Sequence, residues 1–198
     1  PPALGDNRKQ RSEASLGGHH LILGDLVDVV TGETLPDTLD ERYRQKIGRM
    51  LIEEKGYRKG DLQPRCELCV QADNNKAIIK IDYKIVLHST IAMIIKYGPG
   101  SLVTRHRPAL AASRLLASYQ IPLVVVTNGE AADILNGKTG KILYQGLDAI
   151  PSKAQLLDQA VHDALEPISS QRAEMESRIL YCYEVDGSCP CDDTICRL

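Results

Sequence analysis

The chain has 198 residues but no phenylalanine and no tryptophan; its aromatic content rests on eight tyrosines. Average usage of about 4% Phe would put roughly eight in a chain this long, so the absence reads as redesign or recoding rather than chance. Net charge is scarce at −2, which excludes a strongly basic nucleic-acid binder and confines any such surface to a local patch. No apolar run approaches the about 18 residues that a membrane span requires. The amino terminus lacks the apolar stretch of a signal peptide, so the expectation is a cytoplasmic protein with reduced thiols. Internal repeats are missing too, and so is any helicase signature. What remains fits one domain, long enough to bury an ordinary core.

Three segments are expected: a polar, aperiodic leader over 1–18, a folded domain over 19–150, and a helical extension with a cysteine-bearing tail over 151–198. An apolar stretch from His19 to Val30 reads as a short helix or strand laid on the core. Thr38-Leu39-Asp40-Glu41 has the spacing of a capping box, and Tyr43, Ile47, Met50 and Leu51 share one face of the helix that follows, which Gly56 stops. Strands are expected over 62–72, 77–87, 90–97 and 121–127, with Pro108 opening a helix that runs to about Ser118. Asn128-Gly129 and Asn136-Gly137 bracket a hairpin ending near Tyr144, and two helices, 152–165 and 169–183, complete the pattern. Such an order describes an α/β fold with a mixed central sheet flanked by helices.

Chemistry gathers on two strands. In the first, Ile79, Ile81, Tyr83, Ile85 and Leu87 alternate with Lys80, Asp82 and Lys84; in the second, Lys96 is the single charge of an otherwise apolar run. Metal-dependent phosphodiester cleavage uses carboxylates to hold magnesium and often a lysine to orient water or offset developing charge. A hairpin could bring Asp82 and Lys96 together, beside a Gly98-Pro99-Gly100-Ser101 loop open to a phosphate. Arg105, His106, Arg107 and Arg114 add positive charge beyond it, as candidate DNA contacts. Each also has a plainer reading. Asp82 between two lysines would suit a solvated face, Glu41 a capping acid, and the Arg105–Arg107 run an exposed loop. Lys96 is harder to explain away, because lysine is rarely buried in an apolar strand without a partner.

Several pieces carry a resemblance: Asp40-Glu41-Arg42-Tyr43-Arg44-Gln45, Glu54-Lys55-Gly56-Tyr57, Lys80-Ile81-Asp82-Tyr83, Met93-Ile94-Ile95-Lys96 and Val125-Val126-Thr127-Asn128-Gly129. In their order and spacing, over about 37–145, the chain resembles the amino-terminal nuclease domain of type I restriction-enzyme restriction subunits. The resemblance implies the PD-(D/E)xK nuclease superfamily, a restriction-endonuclease-like fold, DNA as substrate, and helicase or other restriction-system subunits as partners. By the same likeness, Asp82 is the metal-binding aspartate, Lys96 the catalytic lysine, Glu41 an assisting helix carboxylate and magnesium the ion. One position departs from the pattern. Ile94 stands where the second acidic ligand belongs, and an isoleucine cannot coordinate magnesium; Glu67 is a further carboxylate on the preceding strand.

The tail holds Cys189-Pro190-Cys191 and Cys196 in a C-x-C-x4-C cluster, with Cys182 upstream. Thiolates this close in a reducing compartment point to zinc or an iron-sulfur cluster, and the cluster resembles the carboxy-terminal cysteine triplet of related iron-sulfur nucleases. Cys182 is the nearest fourth ligand; Cys66, Cys69, His19 and His20 are others, though Cys66 and Cys69 would face opposite sides of a strand. Free thiols are the plainer reading. Three functions follow in order: a metal-dependent DNA nuclease or nuclease-like subunit of a restriction or defence system; an inactive nuclease-fold module for DNA binding or assembly; and a metal-binding interaction protein built on the cysteines.

Overall fold

The computed structural model describes residues 21–160, 165–186 and 195–198. The expected leader 1–18, His19, His20, Cys189 and Cys191 lie outside the described residues, as does part of the expected 152–165 helix. A small hairpin, β1 (Asp25–Val27) with β2 (Thr34–Pro36), leads into helix α1 (Leu39–Glu53). Thr38 caps α1, its hydroxyl accepting from the Glu41 amide at 3.1 Å, as the sequence signal requires. Strands β3 (Leu62–Ala72), β4 (Asn75–Leu87) and β5 (Thr90–Tyr97) follow as an antiparallel meander. Helix α2 (Val103–Leu115) crosses over to β6 (Leu123–Thr127), which lies parallel to β5. β7 (Ala132–Asn136) and β8 (Ile142–Gln145) finish that side, α3 (Lys153–Ala160) and α4 (Ser170–Leu180) come next, and a π-helical turn Tyr181–Asp186 extends α4. The last strand, β9 (Ile195–Arg197), pairs with β4.

Among the described residues this gives a seven-stranded mixed sheet, ordered β3-β4-β5-β6-β7-β8 with β9 beside β4. The room for β9 comes from strand length. β5 pairs only with Tyr83–Leu87, leaving Ala77–Ile79 of the longer β4 open to β9. Ile47, Met50 and Leu51 of α1 cover one face of the sheet with Met93, Ile95, Val125 and Ile134. Ala109–Ala112 of α2, Leu180 of α4, and Tyr181 and Val185 of the π turn cover the other, with Ile94, Val124, Val126 and Leu135. No described helix is long and apolar enough to cross a membrane.

Two expectations change. The helix expected to open at Pro108 spans Val103–Leu115 instead, with Pro108 inside it. Its first turn is already closed by the Thr104 hydroxyl donating to Ser101 O at 3.1 Å and by Arg105 N donating to Leu102 O at 2.9 Å. The enclosed proline therefore removes one backbone donor from a helix nucleated before it. The alternating face of β4 is also not a single face in space. Tyr83, Ile85 and Leu87 join the α1 core, whereas Ala77, Ile79 and Ile81 join the α2 core, a switch that accumulated strand twist allows over a strand of 13 residues. Asp82 stands at the switch. Across from it, Arg65 interrupts the register between Pro64↔Tyr83 and Cys66↔Ile81 with φ of 51°.

Candidate functional site

The last register pair of β4 with β5 toward the candidate centre is Tyr83↔Ile95, so Asp82 and Lys96 are the next residues on adjacent strands. Their side chains, however, take separate partners. Asp82, 8% exposed, is not a solvated charge. One of its oxygens accepts from Arg44 Nε of α1 at 2.7 Å, and the other from the Tyr97 amide at 2.7 Å. Lys96 donates to Lys80 O at 3.0 Å and to Glu184 Oε2 of the π turn at 3.2 Å. Ile94 is fully enclosed in the apolar core on the α2 side.

Glu41 is also buried, and its carboxylate is turned away from the cap that the sequence spacing suggested for it. Its carboxylate accepts from Gln45 at 2.8 Å and pairs with Arg44 Nη1 at 3.4 Å. Arg44 thus spans Glu41 and Asp82, with its guanidinium carbon 5.2 Å from the centre of the Tyr97 ring. Burial works against the Arg44 charge, but Asp82, then Glu41 and Asp40, outweigh it and hold the guanidinium firmly protonated. α1 can deliver Arg44 here because it lies close against β4: a Cβ on Gly48 would come within 2.6 Å of the Tyr83 hydroxyl, which itself donates to Arg44 O at 2.8 Å. Gln45 extends the network to Asp28, donating to it at 3.0 Å. Burial opposes the Asp28 charge, yet Arg65, the Thr31 and Val30 amides and Gln45 together lower its pKa to about 2.

These partners decide what the centre can hold. A divalent ion needs carboxylate oxygens free to face it, and here a guanidinium engages both candidate carboxylates while the third position is apolar. The residues do not fit a divalent-metal site in this arrangement. Among the described residues, no group of three or more His, Cys, Asp or Glu side chains is set to hold a metal ion. Glu67 is exposed on β3.

The four candidate DNA contacts fall in different places. Arg105 lies against Gly98, where only the missing Cβ admits its guanidinium, and donates to Pro99 O at 3.2 Å. His106 pairs with Asp133 of β7 at 2.8 Å. Arg107 and Arg114 both bind Glu176 of α4, and Arg172 joins them at 2.9 Å. Arg114 is 5% exposed, so its charge is spent inside the fold. Cys182 and Cys196 are free and exposed; the segments bearing them are tied by Arg197 donating to Val185 O at 2.6 Å. Cys66 packs at the edge of the core while Cys69 is exposed, the opposite facing that their spacing on a strand required.

Sequence reasoning did not single out Arg44, Gln45, Asp28 or Glu184 as parts of the centre. Arg44 had a usable signal, one helical turn after Glu41 on α1. Glu184 had none. Residues 39–151 match the profile of the family described as type I restriction enzyme R protein N terminus. No curated protein and no solved structure matches the chain. With more than half of its 198 residues matched, the chain belongs to the family of type I restriction enzyme R protein N-terminal domains.

Proposed function

We propose that the chain is a restriction-system module of nuclease ancestry that contacts DNA or partner subunits and does not itself perform metal-dependent cleavage. The observation that carries this reading is the guanidinium of Arg44 lying between Asp82 and Glu41, together with Ile94 enclosed at the position of the second acid. A cation fixed in the protein holds the two carboxylates, and its positive charge repels an ion arriving at the same place. DNA contact would rest on the half-exposed Arg107 and on the surface around the Gly98–Ser101 loop, with affinity that falls steeply with salt.

The cutting reading keeps one observation in its favour, the placement of Asp82 and Lys96 as neighbours on β4 and β5. In that reading Asp82 and Glu41 would be the residues to hold magnesium, which would supply an activated water, and Lys96 would lie beside it. Incubation with magnesium or manganese and single- and double-stranded DNA separates the two. The expected result is no cleavage by the parent chain; cleavage that disappears in both Asp82→Ala and Lys96→Ala would establish the nuclease and end the proposal. Independently of either, Cys182, Cys189, Cys191 and Cys196 are proposed to bind zinc or an iron-sulfur cluster.

A further inference from the structure

Lys96 is an ammonium in a strand of apolar residues, with its side chain 11% exposed. A charge so enclosed needs an anionic partner, because leaving it unpaired in the interior is costly. Neither its own strand nor the neighbouring carboxylate supplies one: Ile94 on β5 is fully buried among apolar neighbours, and Asp82 on β4 is engaged by Arg44 and the Tyr97 amide. The partner arrives from 88 residues away, where Glu184 meets Lys96 Nζ at 3.2 Å. Its placement is set by packing on both sides. Tyr181 and Val185 of the same turn are buried in the α2-side core, and Arg197 of β9 holds the Val185 carbonyl at 2.6 Å. The turn is π-helical, a geometry found mostly as single-turn bulges in α-helices and frequently at functional positions.

We infer that Glu184 stands in at Lys96 for the acid that Ile94 does not supply, and that it gates Lys96 against an incoming phosphodiester. The two anions want the same site. Glu184 is itself only 15% exposed, so a phosphate oxygen reaches the ammonium by displacing the carboxylate. A lysine meets phosphate as a point charge and keeps three donors in all, so the exchange replaces one charge-assisted hydrogen bond by another. The carboxy-terminal extension is then a working part of the centre: the position of the π turn decides whether Lys96 is available. The choice of a phosphodiester rests on the DNA-contact reading above, whereas the pairing itself does not.

The test uses the full chain and a short DNA duplex, with affinity measured against salt concentration. Glu184→Gln should bind roughly tenfold tighter, the scale of one charge-assisted hydrogen bond, with a log–log salt slope steeper by about one unit. Both effects should vanish when Lys96→Gln is added. Binding by the parent with the same affinity and slope in Glu184→Gln overturns the gate. Labelling with an amine-specific acylating reagent and peptide mapping provides a readout that needs no DNA: modification of Lys96 should rise several-fold in Glu184→Gln relative to Lys84. If no form binds DNA, the DNA-contact reading fails while the labelling still decides the gate, and unchanged labelling overturns it. Should Glu184→Gln not fold, Val185→Ala loosens the same turn with the carboxylate intact and is expected to raise Lys96 labelling; no rise there overturns the gate.

Discussion

Arg44 illustrates how one side chain can change the meaning of a centre. Removing either member of a buried ion pair leaves the other charge uncompensated. Arg44→Ala would strand both Asp82 and Glu41, so the expected destabilisation is about 3 kcal/mol, read as a lower urea midpoint with an unchanged slope. Arg44→Lys should recover only part of it, since an ammonium cannot span two carboxylates and stack on Tyr97 as a planar guanidinium does. The neighbouring Thr38-to-Glu41 signal was half legible. The Thr38 hydroxyl caps the Glu41 amide, but the Glu41 carboxylate turns to Gln45 and Arg44 instead of back to the cap. Local spacing specified the cap; the destination of the carboxylate depended on Asp82, brought to Arg44 across 38 residues of chain. The eight tyrosines follow the same logic. Without Phe or Trp, Tyr57 and Tyr83 fill aromatic space in the core, and each phenol must find an acceptor, here Pro151 O at 2.9 Å and Arg44 O at 2.8 Å.

Between elements, the joint that matters most is α2 against α4, where the enclosed Glu176 receives Arg107, Arg114 and Arg172. Burial opposes the Glu176 charge, but Arg107, Arg172 and Arg114 outweigh it and hold the carboxyl below its ordinary value. A carboxyl depressed in the folded state contributes stability that is full above its unfolded pKa, near 4.5, and is lost as pH falls through the folded value. Glu176→Gln should therefore destabilise the protein at neutral pH, by about 3 kcal/mol on the scale of a broken buried pair, and flatten the acid limb of its stability profile below pH about 4.5. A variant whose acid unfolding matches the parent would refute the joint. The sequence placed α2 and α4 as helices but read Arg107 and Arg114 as outward charge. Helical spacing alone could not show that α4 would bring a carboxylate beneath them. Pro108 misled the start of α2 for a related reason: a proline suits a first turn, but here the turn had already formed on Ser101 and Thr104.

For the molecule as a whole, the chain end returns to the centre. β9 pairs with the half of β4 that β5 leaves open, and the π turn before it carries both Cys182 and Glu184. If the cysteines bind metal, anaerobically purified protein should contain about one equivalent of zinc, or iron with visible absorption, and Cys196→Ser should lose it; a chain with neither metal ends that reading. Alternation and turn chemistry in the sequence by themselves determined the strands β3 to β8, the α1 helix with its cap, and the presence of Asp82 and Lys96 on neighbouring strands. These are local properties, written in periods of two and 3.6 residues. Tertiary structure alone decided that β4 serves two cores, that Arg44 reaches Asp82 as well as Glu41, and that Glu184 pairs with Lys96. The deciding contacts, Arg44 to Asp82 and Lys96 to Glu184, join residues 38 and 88 positions apart, and a charge in a low-dielectric interior takes the partner that packing brings to it, whatever the sequence places beside it.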